Sequence, residues 1–432
     1  MRLNKIIPLL ICLLPVVMEA QALDWFSIHG YYKSYFNAYD WPNFNVIEED
    51  STYFNEVPLN AVVYNRVRLK ASARISENML LTGAYDLSPR AEGDAAPSPS
   101  SNWKNYISLL QLVYRADDIR SRLYPGADDP EGNFSIYQNL DRLFLTLNSR
   151  FADFYIGRQA IAWGSARVIN PTDVLAPYAF NELDVEDRIG VDAARIRIPL
   201  GPLSEIDAGA VFGKDFSYKN NAFFLRGKFD YLRNDVSLMT VAFRENLMLG
   251  FDWTRPIGGA GFWLEGGYVF DNTLSSDERN SDNDFFRATI GCDYSLRDGT
   301  YLFMEYHYNG AGENDIESWL EVIGNSAYIE ASGYLIGKHY LAPGIIHQLT
   351  PLITLNGQML ANLGDPSFFL MPTIEYNIAE NIYLSGGAYL GLGGGATIHT
   401  WFNGYSVRGW TDYDSEFGSY PDYYFTSFRI YF

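Results

Sequence analysis

The clearest pattern in the chain is a two-residue alternation from Pro58 to Ile75. Val63, Val67, Leu69, Ala71 and Ala73 fall on one face; Arg66, Arg68, Lys70, Ser72 and Arg74 fall on the other. Successive side chains of a strand leave opposite faces of the pleat, so a period of two predicts a strand. Charges at every second position cannot enter a dry sandwich core without many partners. A barrel wall with lipid outside and water inside accommodates both faces. Segments of this kind, about ten residues long and bounded by turn residues, recur through the chain. Eighteen can be marked, the first at 26–36 and the last at 422–432. Short turns at 149–150, 201–202, 232–233, 256–257, 297–298, 350–351 and 379–380 alternate with longer connections at 37–57, 89–137, 164–189, 271–283, 310–339 and 392–421. The expected fold is therefore all-β: a transmembrane antiparallel barrel of about 18 strands spanning 23–432, with large external loops at 89–137, 310–339 and 392–421. The apolar stretch 106–114 is expected within the first of these, as a short helix or an extra hairpin.

Alternation also assigns faces. Sets such as Leu143/Leu145/Leu147, Phe223/Leu225/Phe229 and Phe286/Ile290/Cys292 are expected to touch lipid. The opposite faces carry Arg66, Arg68, Lys70, Arg74, Arg142, Arg195, Arg197, Arg226, Lys228, Arg287 and Arg429 against Asp230, Glu265, Asp293, Glu305 and Glu375. These sets predict a lumen biased to the basic side, which favours anions over cations. Each arginine can equally brace the barrel by pairing with a carboxylate, and Asp173, Glu182, Asp184, Glu186 and Asp187 are candidate partners.

Composition sharpens this picture. Aromatic residues make up 16% of the chain, with 32 Tyr and 28 Phe, and there are 37 Gly. Tyr- and Gly-rich alternating sequence is the mark of an outer-membrane barrel. A positive start at Arg2 and Lys5, an apolar run from Ile6 to Met18 and the small-x-small Ala20-Gln21-Ala22 predict a cleaved signal peptide over 1–22. Behind it a single cysteine, Cys292, excludes an internal disulfide framework. The net charge of −20 argues against nucleic acid as a partner. The final strand ends on Phe432, with Ile430, Phe428 and Tyr424 on the same face. It resembles the terminal strand that the barrel assembly machinery reads, so that machinery, membrane lipid and lipopolysaccharide are the expected partners.

The stretch from Asp153 to Ile198 carries the candidate chemistry. Two strands flank a loop of both charge signs, 164–189. Gly164 and Pro171 bend the chain, Asn170 can turn it before the proline, and Trp163 suits the membrane-interface level. Arg158 offers a five-donor fork to a carboxylate or an anionic solute. Phe154, Ile156 and Arg158 share a face by strict alternation, so a bulge is expected nearby. Gly157-Arg158-Gln159, Trp163-Gly164, Asn170-Pro171-x-Asp173 and Arg188-x-Gly190-x-Asp192 together resemble a motif of Gram-negative outer-membrane porin-like proteins, similar in style to the alginate export porin. The likeness covers about 40 residues. It implies a barrel of about 18 strands whose loop lies inside the lumen and narrows it, with Asn170, Asp173, Asp184, Asp187 and Arg188 as constriction residues. The pore would be lined by Arg66, Arg68, Lys70, Arg142, Arg158, Arg195, Arg197, Arg226, Lys228 and Arg287.

No H-E-x-x-H, C-x-x-C or G-x-S-x-G occurs, and the five histidines are scattered. No cofactor, metal or catalytic residue is therefore expected, and His307 reads as a solvated pore-lining residue. The expected function is passive passage of polar, anionic or acidic-saccharide solutes through an outer-membrane porin. The alternatives are a barrel that sheathes a periplasmic partner, such as an electron carrier or secretion component, and, more remotely, an outer-membrane hydrolase.

Overall fold

The computed structural model describes residues 23–40, 44–48, 51–55, 59–93, 114–126, 128–130, 132–178, 180–275, 279, 281–319, 322, 325–331, 335–402 and 407–432. The signal peptide expected at 1–22 and residues 106–113 lie outside them. Eighteen strands close into a barrel: β1 (Phe26–Asp40), β2 (Asn60–Ser76), β3 (Met79–Glu92), β4 (Phe134–Asn148), β5 (Asp153–Gln159), β6 (Val191–Pro199), β7 (Glu205–Phe212), β8 (Ala222–Tyr231), β9 (Asn234–Phe243), β10 (Asn246–Ile257), β11 (Ala260–Phe270), β12 (Phe285–Ser295), β13 (Tyr301–Asn309), β14 (His339–Thr350), β15 (Ile353–Asn362), β16 (Ser367–Ala379), β17 (Ile382–Leu392) and β18 (Asp422–Tyr431). Each pairs antiparallel with its sequence neighbours, and β1 pairs with β18 to close the ring. At the seam the Phe432 and Gly30 backbones exchange two hydrogen bonds, at 2.7 and 2.9 Å.

The outer face is apolar. Leu143, Ile156, Phe223, Leu225, Phe229, Phe286, Ile290 and Met304 are exposed. Trp25, Phe151, Tyr231 and Leu232 project from the short-turn end. Exposed hydrophobic and aromatic side chains on a wall whose alternate positions are buried and polar define a lipid-facing belt. Among the described residues no helix is long and apolar enough to cross a membrane, so strands carry the span.

Two expectations about the inside need correction. The barrel is not uniformly wet. Inward residues on the loop-side halves of β6 to β12, including Val191, Val211, Phe224, Val241, Phe243, Met248, Val269 and Phe285, pack with Ile161, Trp163, Val174 and Leu175 into a dry cluster. Trp163, expected at the interface, is 6% exposed inside this cluster, with its ring 4.8 Å from that of Phe224. Nor are the long connections wholly external. Tyr114 of the 89–137 connection joins the same cluster, as do Val322, Tyr328 and Ala331 of 310–339. Phe417 of 392–421 packs with Leu335, Tyr340, Leu360, Phe369 and Met371 in a second cluster. Apolar residues in a loop bury wherever an apolar wall is within reach, and here the mouth offers one.

Outside the barrel, segments 44–48 and 51–55 of the first connection meet 396–402 and 407–413 of the last. They form a separate four-stranded sheet in which 45–48 runs parallel to 397–400. Ser121–Tyr124 adds a short strand beside β4. Local alternation had no means of pairing segments 350 residues apart.

Candidate constriction loop and pore

Strands β5 and β6, which flank the loop, are short, at 7 and 9 residues. The chain therefore leaves the wall partway up, after Gln159, and rejoins it at Val191. The in-folded loop runs 160–190, slightly longer than the expected 164–189. Gly157 explains where Arg158 points. Its φ of +119° breaks the alternation, and a side chain there would put Cβ 2.3 Å from the Leu143 carbonyl oxygen. Phe154 and Ile156 stay on the lipid face, whereas Arg158 turns inward and is 6% exposed. On β4 a register shift against β3 leaves Asp141 as an extra residue, so Asp141 and Arg142 are both buried.

The first third of the loop is stapled to the wall by carboxylates. Asp207 on β7 accepts from Trp163 Nε1 at 3.3 Å and from Arg195 at 2.7 and 2.6 Å. Glu265 on β11, fully buried, accepts from the Ser165 and Ala166 amides at 3.0 Å each. Its other oxygen accepts from the Thr172 amide at 2.9 Å and the Thr172 hydroxyl at 2.7 Å. Glu305 on β13 accepts from the Arg167 amide, from Val168 N at 2.9 Å and from Trp263 Nε1 at 2.8 Å. Charge-assisted bonds from amides to buried carboxylates are about twice as strong as neutral ones. Gly164, at φ +102°, is required here. A Cβ would lie 2.4 Å from Asn170 Nδ2 and 2.6 Å from Glu265 Oε1.

In the middle third, Arg188 reaches back to Asp173 at 2.6 Å and to the Ala176 carbonyl at 2.8 Å, over the Tyr178 ring at 4.0 Å. Burial raises the Asp173 carboxyl above its ordinary range, and Arg188 opposes the shift. Phe180 seats edge-on against Phe369 at 5.3 Å.

The last third meets a cationic wall. Lys33 Nζ lies 2.6 Å from both Asp184 and Glu186; Arg66 is 3.0 Å from Asp184; Lys70 is 2.9 Å and Arg68 3.4 Å from Asp187. Tyr31 OH donates to Asp187 at 2.9 Å. Burial would raise the Asp187 carboxyl, but the Lys70 hydrogen bond and the charges of Arg68 and Lys70 outweigh it and hold it at about 2. Behind this row Arg68 also holds Asp86 at 2.9 Å and Asp141 at 2.6 Å, and Arg142 holds Asp141 at 2.6 Å. Arg158 binds Asp192 at 2.7 and 2.9 Å and the Leu140 carbonyl at 2.9 Å.

An open space lies between this loop and β12, β13, β15 to β18 and β1. It is a cavity of about 520 Å³. Thr354, Asn356, Gln358, Thr373, Ser385 and Ser427 give its wall side a neutral polar carpet. Arg167, Arg188, Arg287 and Arg429 contribute charge, as do Asp173, Glu182 and Glu375. Of the ten cations expected to line a pore, Arg287 borders this space; of the five loop residues, Asn170, Asp173 and Arg188 do.

Arg66, Arg68, Lys70, Arg142 and Arg158 pair with carboxylates away from it. Arg195 pairs with Asp207, Arg197 with Glu205, Arg226 with Glu205 at 3.4 Å and Lys228 with Asp235 at 3.8 Å. The sequence tally counted too few acids: Asp86, Asp141, Glu205, Asp207 and Asp252 also face inward. Their signal was cross-strand rather than local, since Asp86 stands opposite Arg68, and Asp207 opposite both Arg197 and Arg226. Lys33 was missed because it stands among aromatic residues, and Arg115 and Arg167 because they lie in loops, where alternation assigns no face. His307 borders this space, as expected, but is buried rather than solvated, with Nδ1 2.8 Å from Thr289 Oγ1. Thr289 commits its single proton to the Ile169 carbonyl at 2.8 Å and is left to accept from the ring.

An 18-stranded closed barrel narrowed by a loop from its own wall has a porin-like fold. Solved structures share it. A. baumannii OccAB2 matches with a TM-score of 0.55 and 8% identity, over 95% of this chain and 98% of that one. A BenF-like porin from Pseudomonas fluorescens Pf-5 matches with 0.52 and 9%, over 94% and 98%. Pseudomonas aeruginosa OccD3 (OpdP) matches with 0.51 and 8%, over 95% and 92%. No family model and no curated protein matches the sequence.

Proposed function

We propose that the protein is an outer-membrane channel for passive diffusion of small polar solutes, with anions and acidic saccharides favoured. The observation that carries this is the cavity beside the in-folded loop. A 520 Å³ space bordered by amides and hydroxyls suits hydrated solutes, and its described lining has four arginines against three carboxylates. That margin is far smaller than the basic lumen expected from alternation, so the expected anion preference is mild. The likeness of the Gly157-to-Asp192 motif to alginate-export-type porins supports including acidic saccharides. The alternative of a sleeve around a periplasmic partner has less room, because the chain's own loops fill the barrel mouth. Planar-bilayer recording tests the proposal. A salt gradient should give a stable single-channel conductance with a reversal potential on the weakly anion-selective side. Liposomes bearing the protein should swell in small neutral and acidic sugars. Strong cation selectivity would remove the anion preference, and a barrel without conductance would remove the channel.

A further inference from the structure

Residues 183–187 have their polarity inside out. Leu183 and Val185 border the cavity, Val185 with 53% of its surface exposed. Asp184, Glu186 and Asp187 turn away from that cavity onto Lys33, Arg66, Arg68 and Lys70 of β1 and β2. A solvated loop does the reverse, because hydration favours charge at the water and apolar surface away from it. The cations concerned are well covered: Lys33 and Arg68 side chains are 1% exposed. Their rings of contact are also shared, with Lys33 Nζ 4.3 Å and Lys70 Nζ 5.5 Å from the centre of the Tyr31 ring. Among the described residues this network joins seven cations (those four, Arg115, Arg120 and Arg142) to six carboxylates. Asp86, Asp118 and Asp141 supply three of these, and the loop segment supplies the rest.

We propose that residues 184–187 are a built-in anionic occupant of a cationic site formed by Lys33, Arg66, Arg68 and Lys70, and that the vacated site binds multiply charged anions such as phosphate. With the segment seated the network carries one surplus positive charge. With it displaced, the surplus rises by three positive charges, which face the lumen and turn a mildly selective passage into an anion-binding one. The loop has other anchors, at Glu265, Glu305 and Gly190, so release of this segment leaves the rest of the constriction in place. The low Asp187 value keeps that carboxylate charged at ordinary pH, so its pairs with Arg68 and Lys70 yield to a competing anion rather than to protonation.

The proposal rests on the channel function above, and one experiment separates the two. Wild type and D184N/E186Q/D187N are compared in planar bilayers, with folding verified by resistance of the compact form to unheated detergent gels. The triple variant should show an anion-to-cation permeability ratio raised at least about threefold. Its chloride current should be blocked by inorganic phosphate at concentrations that leave wild type open, and Lys70→Gln added to it should weaken the block. A conducting triple variant with an unchanged ratio and no block overturns the proposal and leaves the channel standing. Should the triple variant not fold, Glu186→Gln replaces it, since Glu186 is the most exposed of the three. A smaller shift in the same direction is then expected, and an unchanged ratio overturns the proposal. If no chain conducts, the channel function falls. Calorimetric titration of inorganic phosphate into the solubilised variant then decides alone: binding absent from wild type supports the site, and no binding overturns it.

Discussion

At the residue scale, the inward arginines are structural before they are selective. Arg158 makes four hydrogen bonds to Asp192, Leu140 and Asp117 acceptors from a buried position. Removing one partner of a buried pair strands the other, at a cost of about 3–5 kcal/mol. Arg158→Ala should therefore lower the unfolding temperature sharply while leaving the reversal potential of the surviving channels unchanged; scanning calorimetry and bilayer recording check the two halves. Arg287 borders the cavity, and Arg287→Gln should shift the reversal potential toward cations. Gly157 sets the direction of Arg158. Gly157→Ala forces a side chain into a φ of +119° and against the Leu143 carbonyl, for an expected loss of roughly 1–3 kcal/mol in denaturant unfolding. The glycine and its neighbour's guanidinium were readable in the sequence; the expected bulge is not in β5, whose pairing runs without a register shift on both sides, and the φ of Gly157 turns Arg158 instead. Whether that guanidinium met a carboxylate or water was not readable, because Asp192 approaches it from another strand.

At the scale of elements, the constriction loop is held by wall carboxylates that satisfy its amides. Glu265 carries three such amides and a hydroxyl, so Glu265→Ala leaves these donors unpaired at about 1–3 kcal/mol each before relaxation. Channels of this variant should show larger and noisier conductance, and Glu265→Gln, which keeps one acceptor oxygen, should fall between. The outer connections are held differently. Glu416, buried in the 392–421 connection, accepts from Tyr340 OH at 2.6 Å, Asn362 Nδ2 at 2.8 Å and the Ile336 amide at 3.0 Å. Burial pushes its carboxyl up to about 7 from an ordinary 4.5, against the hydrogen bonds that oppose the shift. A folded-state value above the unfolded one means that the packed loops bind the proton more tightly. Their stability is then fullest below about 4.5 and falls as pH rises toward about 7, by roughly 3 kcal/mol across that window. Amide exchange at 336–340 and 415–419 should slow as pH is lowered through it, after correction for intrinsic rates. Glu416→Gln should remove the dependence.

At the scale of the whole molecule, closure depends on the seam where β18 meets β1. Deleting Phe432 removes the two backbone bonds to Gly30 and the terminal aromatic together. Unaided refolding into detergent should slow only modestly, whereas the amount of folded barrel recovered from cell envelopes should fall much further if assembly machinery reads this strand; cold-gel mobility measures both. The barrel itself was determined by the sequence. Eighteen alternating segments, their turn punctuation and the lipid-facing sets appear in the structure within a few residues, because a period of two is a local property of the chain. Only the tertiary structure decided what the inside is. Pairing between charges, the folding of three long connections into the mouth, the outer sheet and the short β5 and β6 all join residues distant in sequence. A positive tally along single strands could not anticipate acids arriving from neighbouring strands and from the loop. Charge inside a barrel is neutralised by whatever lies across the lumen, and that is fixed by closure rather than by any one segment.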